Sequence, residues 1–272
     1  MRKSSFYVVL MTFAGSLMMD HTFAQRSYLS VNAGYGFQTS SQSSELIYNR
    51  TISNNTIAYE QVNVSLGKGV NFGLTYGYMF SKNIGAEVGL SFLIGGKTKS
   101  KDIYPDGETN YAVFSRMVKI NPSLIISPGY ERINPYAKMG FLIGSGSIQY
   151  EVKDHNEDED SEGKYKFNGG LASGLTAGVG VLYKVNDRIS VFAEINTINL
   201  SYAPKKGKLT KRTTDGIDQL ITMSRYQKEI DFVDSYTEVP NQPPDQNSPR
   251  QSLKQKFSFG SVGLNFGVQF SL

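Results

Sequence analysis

Few side chains in this sequence are equipped for covalent chemistry. Among 272 residues there is no Cys and there are two His, at positions 21 and 155. Without Cys there is no disulfide framework, no thiol nucleophile and no Cys-ligated zinc. His155 is the one imidazole beyond the first 25 residues, and no Ser-His-Asp or related arrangement forms around it. An Asp-only site is the remaining catalytic alternative; the expectation is a non-enzyme with no metal and no organic cofactor. Two charged runs stand out. Asp154-His155-Asn156-Glu157-Asp158-Glu159-Asp160-Ser161-Glu162 is rich in the oxygen ligands that calcium takes. It lacks the Gly and the closing Glu of an EF-hand loop, so a solvated loop tip is expected, with weak cation binding as the alternative. The second run holds Lys205, Lys206, Lys208, Lys211 and Arg212, cations suited to phosphate oxygens, with ordinary loop solvation as the alternative. A net charge of +4, mild and scattered, excludes a dedicated nucleic-acid binder.

The elements that carry these residues show mostly as strands. Arg2 and Lys3, an apolar stretch from Phe6 to Met19, and Thr22-Phe23-Ala24 read as a secretory signal peptide over residues 1–24, cleaved before Gln25. An uncleaved anchor is the alternative, since the apolar core is short for a span of about 20 residues. The mature domain is 25–272. It alternates with period two: Val70, Phe72, Leu74, Tyr76, Tyr78 and Phe80 oppose Asn71, Gly73, Thr75 and Gly77. Ile84 to Ile94 and Val262 to Leu272 repeat the scheme. Weaker versions run through 29–37, 118–126, 137–143, 171–185 and 191–202, giving eight strands. In the last of these the parity changes around Asn196 to Ile198, which predicts a bulge. Connections alternate strictly. Ser81 to Asn83, Pro128 to Asn134 and Asn186 to Arg188 are tight; 40–68, 99–112, 154–166 and 205–256 are long.

The faces decide the class. The apolar face carries large residues over about 9–11 positions, the length of a tilted membrane strand. The other face is mostly Gly, Ser, Thr and Asn, too poor in charge to meet water, and the whole chain is only 19% charged against roughly 25% for soluble domains. Aromatics cluster at both ends of the apolar face, Tyr78, Phe80, Tyr183 and Phe270 at one and Phe37, Phe72, Phe92 and Tyr202 at the other. A sheet that crosses lipid must close, because hydrocarbon offers no hydrogen bonds. The expected fold is all-β: an eight-stranded antiparallel up-and-down transmembrane β-barrel with four long extracellular loops and three tight periplasmic turns. Within the longest loop, the spacing of Ile217, Leu220, Ile221, Met223, Tyr226, Ile230 and Phe232 predicts a short amphipathic helix over the barrel mouth. Residues 240–249 read as flexible.

Signal peptide, alternating strands and the closing Phe266-Gly267-Val268-Gln269-Phe270-Ser271-Leu272 together resemble bacterial, Gram-negative outer-membrane β-barrel proteins. The small OmpA-like, OmpX-like and Ail-like barrels are the nearest in style, and the Gly- and Tyr-rich strands are similar to the PorT-like group of Bacteroidota. The resemblance implies that Phe266, Val268, Phe270 and Leu272 form the strand read by the barrel-assembly machinery, although such chains usually end in Phe. It also implies charge pairs in the lumen, for which the inward positions offer Glu87, Lys119, Lys138 and Glu194; contact with lumen water alone is the alternative. The function it implies is non-enzymatic: exposed loops that mediate adhesion, envelope stabilisation or docking of a surface or secreted protein, with outer-membrane lipid and lipopolysaccharide as partners. A narrow porin-like channel and a PorT-like component of a secretion apparatus are the rival readings.

Overall fold

The computed structural model describes residues 26–39, 48–53, 56–238 and 241–272. The segment read as a signal peptide and part of the first long connection lie outside the described residues. In chain order the strands are β1 (Arg26–Gln38), β2 (Tyr48–Ser53), β3 (Thr56–Gln61), β4 (Gly69–Met79), β5 (Ile84–Gly95), β6 (Thr98–Tyr104), β7 (Gly107–Ile126), β8 (Ile133–Asn156) and β9 (Asp160–Asn168). They continue as β10 (Ala172–Lys184), β11 (Ile189–Tyr202), β12 (Lys206–Thr214), β13 (Ile217–Asp218), β14 (Glu229–Val233), β15 (Arg250–Leu253), β16 (Phe257–Ser258) and β17 (Ser261–Ser271). All 17 belong to one sheet.

Eight of them close a ring. Following antiparallel neighbours, β1 pairs with β4, then β5, β7, β8, β10, β11 and β17, and β17 returns to β1 from Tyr28↔Ser271 to Gln38↔Ser261. Side chains alternate across it. On β4 and β5, Phe72, Leu74, Tyr76, Val88, Leu90 and Phe92 point outward, while Glu87 is 7% exposed on the inner face. This is the period-two pattern of the sequence realised with its apolar face outside. It suits a hydrocarbon surround, because ring closure leaves no unpaired strand edge. The ladder has one gap: Asn121 and Pro122 lack partners on β8, between Ile120↔Ile143 and Ser123↔Gly140. Pro122 has no N–H to donate there.

The long connections differ from the expected loops. They carry nine further strands, so the molecule is more than a clean eight-stranded barrel. At the long-connection end, eight of these strands build a crown with the upper halves of β7 and β8 and a short pair at β16. Its sheet runs β3-β2-β6-β7-β8-β9-β12-β14-β15. β13 adds to the far end of β12. Hydrogen bonding favours this, since a 24-residue β8 offers ladder partners well beyond the ring.

Three expectations require correction. No bulge occurs at Asn196 to Ile198: β11 stays in register with both β10 and β17. Even-numbered residues of β11 face inward throughout, and the inner face itself becomes apolar at Ile198, Leu200 and Tyr202. Tyr202, placed by the sequence in the outer aromatic belt, is therefore fully buried inside. The third concerns 217–232. Instead of an amphipathic helix, that stretch forms β13, one four-residue helix α1 (Arg225–Lys228) and β14. α1 is started by a capping box between Ser224 and Gln227. It is too short to gain stability from its own hydrogen bonds, and strand pairing to β12 wins. Residues 241–249 are irregular, yet backbone bonds from Arg225 and Tyr226 to Gln246 O tie them to α1.

Candidate functional site

The inner face divides the lumen into three levels. Nearest the tight turns lies a cavity of 560 Å3, lined by a mixture of small polar, charged and aromatic side chains and reaching the turn residues Lys82, Arg132 and Asp187. Its floor is a network of charged and phenolic groups from four strands. Lys138 on β8 stands 2.6 Å from Glu194 Oε2 on β11 and 3.7 Å from Glu87 Oε2 on β5. Tyr28 donates its hydroxyl to Glu87 Oε1 at 2.7 Å, and Tyr136 donates to Glu194 Oε2 at 3.0 Å. Burying two carboxylates is tolerable only with such partners, since an isolated buried charge costs several kcal/mol.

Above this floor a space of 80 Å3 is lined by Asn32, Asn71, Asn121, Asn196, Asn265 and Lys119, among others. Lys119 donates to Asn71 Oδ1 at 2.8 Å and has no carboxylate within ion-pair distance among the described residues. The sequence expectation grouped it with Glu87. The register separates them: Lys119 is opposite Ser91, while Glu87 is opposite Ser123, four residues farther along. The structure thus brings together Glu87, Lys138 and Glu194, and leaves Lys119 one level up.

The third level is an apolar plug, which the sequence reading missed. Val64, Leu66, Leu93, Val113, Met117, Leu142, Ile148, Leu200, Tyr202 and Phe259 form a buried cluster inside the crown end of the ring. A strap, residues 62–68, crosses it. Leu66 N donates to Ser258 O at 3.0 Å, where β16 is paired to β11. Leu66 O accepts from Ser115 Oγ on β7 at 2.7 Å, on another side of the ring. Tyr202 completes the closure by donating from its hydroxyl to Gly146 O at 2.8 Å and packing edge-on against Phe259. Gly67 allows the close approach, since a Cβ there would lie 2.2 Å from Phe259 O. The missed signal was Leu93, Met117, Leu142 and Leu200, large apolar residues on the inward parity.

Outside the lumen, the two charged runs lie in the crown. The basic run lies along β12 and is partly neutralised. Lys211 reaches Glu162 at 2.5 Å and Lys208 reaches Glu229 at 3.8 Å, whereas Lys205, Lys206 and Arg212 make no ion pair among the described residues. Glu162 is one end of a chain of charges that continues through Lys164 and Glu151 to Lys97, with 2.7 Å between Lys97 and Glu151. Hydrogen bonds from Lys97 and Lys211 hold the Glu151 and Glu162 carboxyls, respectively, below the usual carboxylate range. The acidic run forms the β8–β9 hairpin, with His155 against Asp160. Among the described residues, no three acidic or His side chains gather as metal ligands would. An aromatic row crosses the crown from Tyr111 through Tyr150 and Tyr165 to Phe167 and Phe232, with centroids 5.8 to 6.4 Å apart. Burial raises the Tyr150 phenol above its ordinary range.

At the closing strand, β17 pairs on both sides, and Leu272 N donates to Ser27 O. Phe266, Phe270 and Leu272 are exposed on the outer surface.

Residues 6–219 match a family model described as outer membrane protein beta-barrel domain. Neisserial surface protein A resembles the chain at 12% identity, over 90% of this chain and 97% of that one, with a TM-score of 0.37. Ail, the attachment invasion locus protein of Yersinia pestis, resembles it at 8% identity, over 91% and 98% of the two chains, with a TM-score of 0.37. No curated protein sequence matches the chain. Membership rests on the family model, which spans most of the length: the chain belongs to the outer membrane protein beta-barrel domain family, and its location is the outer membrane.

Proposed function

We propose that this protein is a non-enzymatic outer-membrane barrel whose crown docks an extracellular protein partner. The observation that carries this reading is the open edge of the crown sheet. All six residues of β3 are exposed, Ile57 at 55% and Tyr59 at 65%, and among the described residues β3 is paired on one side only, to β2. A free edge presents a row of unpaired N–H and C=O groups, and an extended segment of a partner extends the sheet by bonding to it. Soluble proteins blunt such edges with charge, and β3 carries only Glu60. In this reading the turns face the periplasm and the crown faces outward. The outer belt meets lipid, Lys205 and Lys206 meet lipopolysaccharide phosphates, and β17 serves the assembly machinery.

The plugged lumen weighs against the rival channel. A pore needs a continuous wet path, and the cluster around Leu66 and Tyr202 interrupts it with buried apolar side chains. The test is attachment of cells to immobilised extracellular-matrix and serum proteins, comparing wild type with an Ile57→Lys, Tyr59→Lys double variant. The proposal expects wild-type cells to attach and the variant to lose most of that attachment at equal surface level. Attachment no greater than that of a gene-deleted strain would remove the docking role. Planar bilayers should stay electrically silent, and regular conductance steps would restore the channel.

A further inference from the structure

The 560 Å3 cavity at the turn end has a shape and charge pattern that neither adhesion nor barrel stability calls for. Its floor holds two carboxylates, Glu87 and Glu194, against one ammonium, Lys138, so it carries one unbalanced negative charge. Tyr136 and Lys138 both reach Glu194 through Oε2, at 3.0 and 2.6 Å, and Glu87 Oε2 has only long contacts, 3.5 Å from Ser123 Oγ and 3.7 Å from Lys138. Both glutamates are more than nine-tenths buried from outside. Phe192, Tyr28 and Tyr136 rings also line this space, and aromatic faces favour a cation. At the other end, the rim has Lys82, Arg132 and Lys184 against Glu131 and Asp187, an excess of one positive charge. Hydroxyls and amides of Ser30, Ser127, Asn134, Ser190 and Gln269 add neutral hydrogen-bonding groups to the lining.

We propose that this cavity binds a small zwitterion, an amino acid or a peptide of two or three residues, with its ammonium group at the Glu87–Glu194 floor and its carboxylate at the rim. Length supports the peptide end of that range. Glu194 is opposite Gly180 and Ser190 is opposite Lys184, so floor and rim are four strand residues apart, roughly 13 Å along the strand. An extended tripeptide spans about 10 Å, and the two charged side chains close the difference. The ammonium adds short donors to Glu87 Oε2, whose contacts are long, and it neutralises the floor. Charge-assisted hydrogen bonds of this kind are the strong ones.

The test uses the full chain folded in detergent micelles, with triglycine as probe and calorimetry or chemical-shift titration as readout. The orientation of the barrel in a membrane does not enter, so failure here is separable from failure of the docking proposal. The expected result is saturable 1:1 binding of triglycine. N-acetyl-triglycine and triglycine amide should each bind more than tenfold more weakly, one having lost the ammonium and the other the carboxylate. Glu194→Gln should weaken triglycine to a similar degree while the protein keeps its folded mobility on unboiled gels. If that variant does not fold, the two capped peptides on wild-type protein still decide. Absence of saturable binding by triglycine overturns the proposal, and so does equal binding of either capped peptide.

Discussion

Replacing Lys138 with Met probes the lumen network where it is most sensitive. The Lys138 ammonium lies 2.6 Å from Glu194 and 3.7 Å from Glu87. At an effective dielectric of about 20 these separations correspond to gross attractions of about 6 and about 4.5 kcal/mol. Much of that offsets the cost of taking three charges out of water. What matters in the variant is what remains: two carboxylates facing each other with one tyrosine hydroxyl apiece. Breaking a buried pair by removing one partner costs about 3–5 kcal/mol. The open cavity lets water reach the carboxylates, which places the expected loss near the lower figure, about 3 kcal/mol. Lys119→Met is the internal control. Lys119 is equally inward but bonds only to Asn71, so its loss removes a buried ammonium that no carboxylate balances; the expected cost is about 1 kcal/mol or less. Urea titration of each variant in lipid vesicles gives both numbers. A triple variant, Glu87→Gln, Lys138→Met, Glu194→Gln, should recover most of the loss. If Lys138→Met falls within about 1 kcal/mol of wild type, or no further from it than Lys119→Met, the floor is not a charge network in any energetic sense.

Three other perturbations address the belt, the plug and the crown. Leu90→Arg, on an outward position of β5 opposite Leu74 and Ile120, should destabilise the barrel by about 2–4 kcal/mol in vesicles; a neutral effect would mean the faces are reversed. Gly67→Val places a side chain against the Phe259 carbonyl, which lies 2.2 Å from where a Cβ would stand. Overpacking of this kind costs about 1–3 kcal/mol, and amide exchange should rise at 62–68 and 257–260; unchanged exchange would show that the strap does not depend on this contact. Acid should loosen the crown before the ring. The Glu151 and Glu162 carboxyls are held low by Lys97 and Lys211, so their contribution is complete above the ordinary carboxylate range and is lost as pH falls through their depressed values. Exchange at β8–β9 and β9–β12 should therefore rise as pH falls below the ordinary carboxylate range, while the ring stays protected; a uniform response would contradict the assignment.

How much of this was legible in the sequence depends on which physics set each part. The eight ring strands were readable because lipid demands a period-two apolar face of nearly fixed length, and Val70 to Phe80 and Val262 to Leu272 state that demand without interruption. The inward placement of Glu87, Lys138 and Glu194 followed from parity alone. Their depth did not, because register is fixed by pairing across the whole ring; this is why Lys119 was grouped with Glu87 when the two are four residues apart along β5 and β7. The plug was hidden because the inner face changes solvent part-way up. The change in pattern around Asn196 to Ile198 reads as a bulge, whereas the strand keeps its parity and Ile198, Leu200 and Tyr202 are apolar residues on the inner face. The crown reads as loops and one helix because Thr98 to Tyr104 and Lys206 to Thr214 are mostly polar, with only Ile103, Tyr104 and Leu209 as large apolar or aromatic residues. The first stretch becomes a strand by pairing with the tall β7, and the second by pairing with β9, which is itself paired with the tall β8; no local pattern announces these partners.

The central claim is that the ring turns its apolar side chains outward into hydrocarbon. The chain contains no Trp, so single Trp probes report without background. Leu90→Trp and Phe266→Trp, on the outer face, and Gln269→Trp, lining the inner cavity, are each reconstituted in vesicles containing lipids brominated at mid-chain. Strong fluorescence quenching at 90 and 266 with little at 269 is the expected outcome. Quenching at 269 with none at 90 and 266 would contradict it directly.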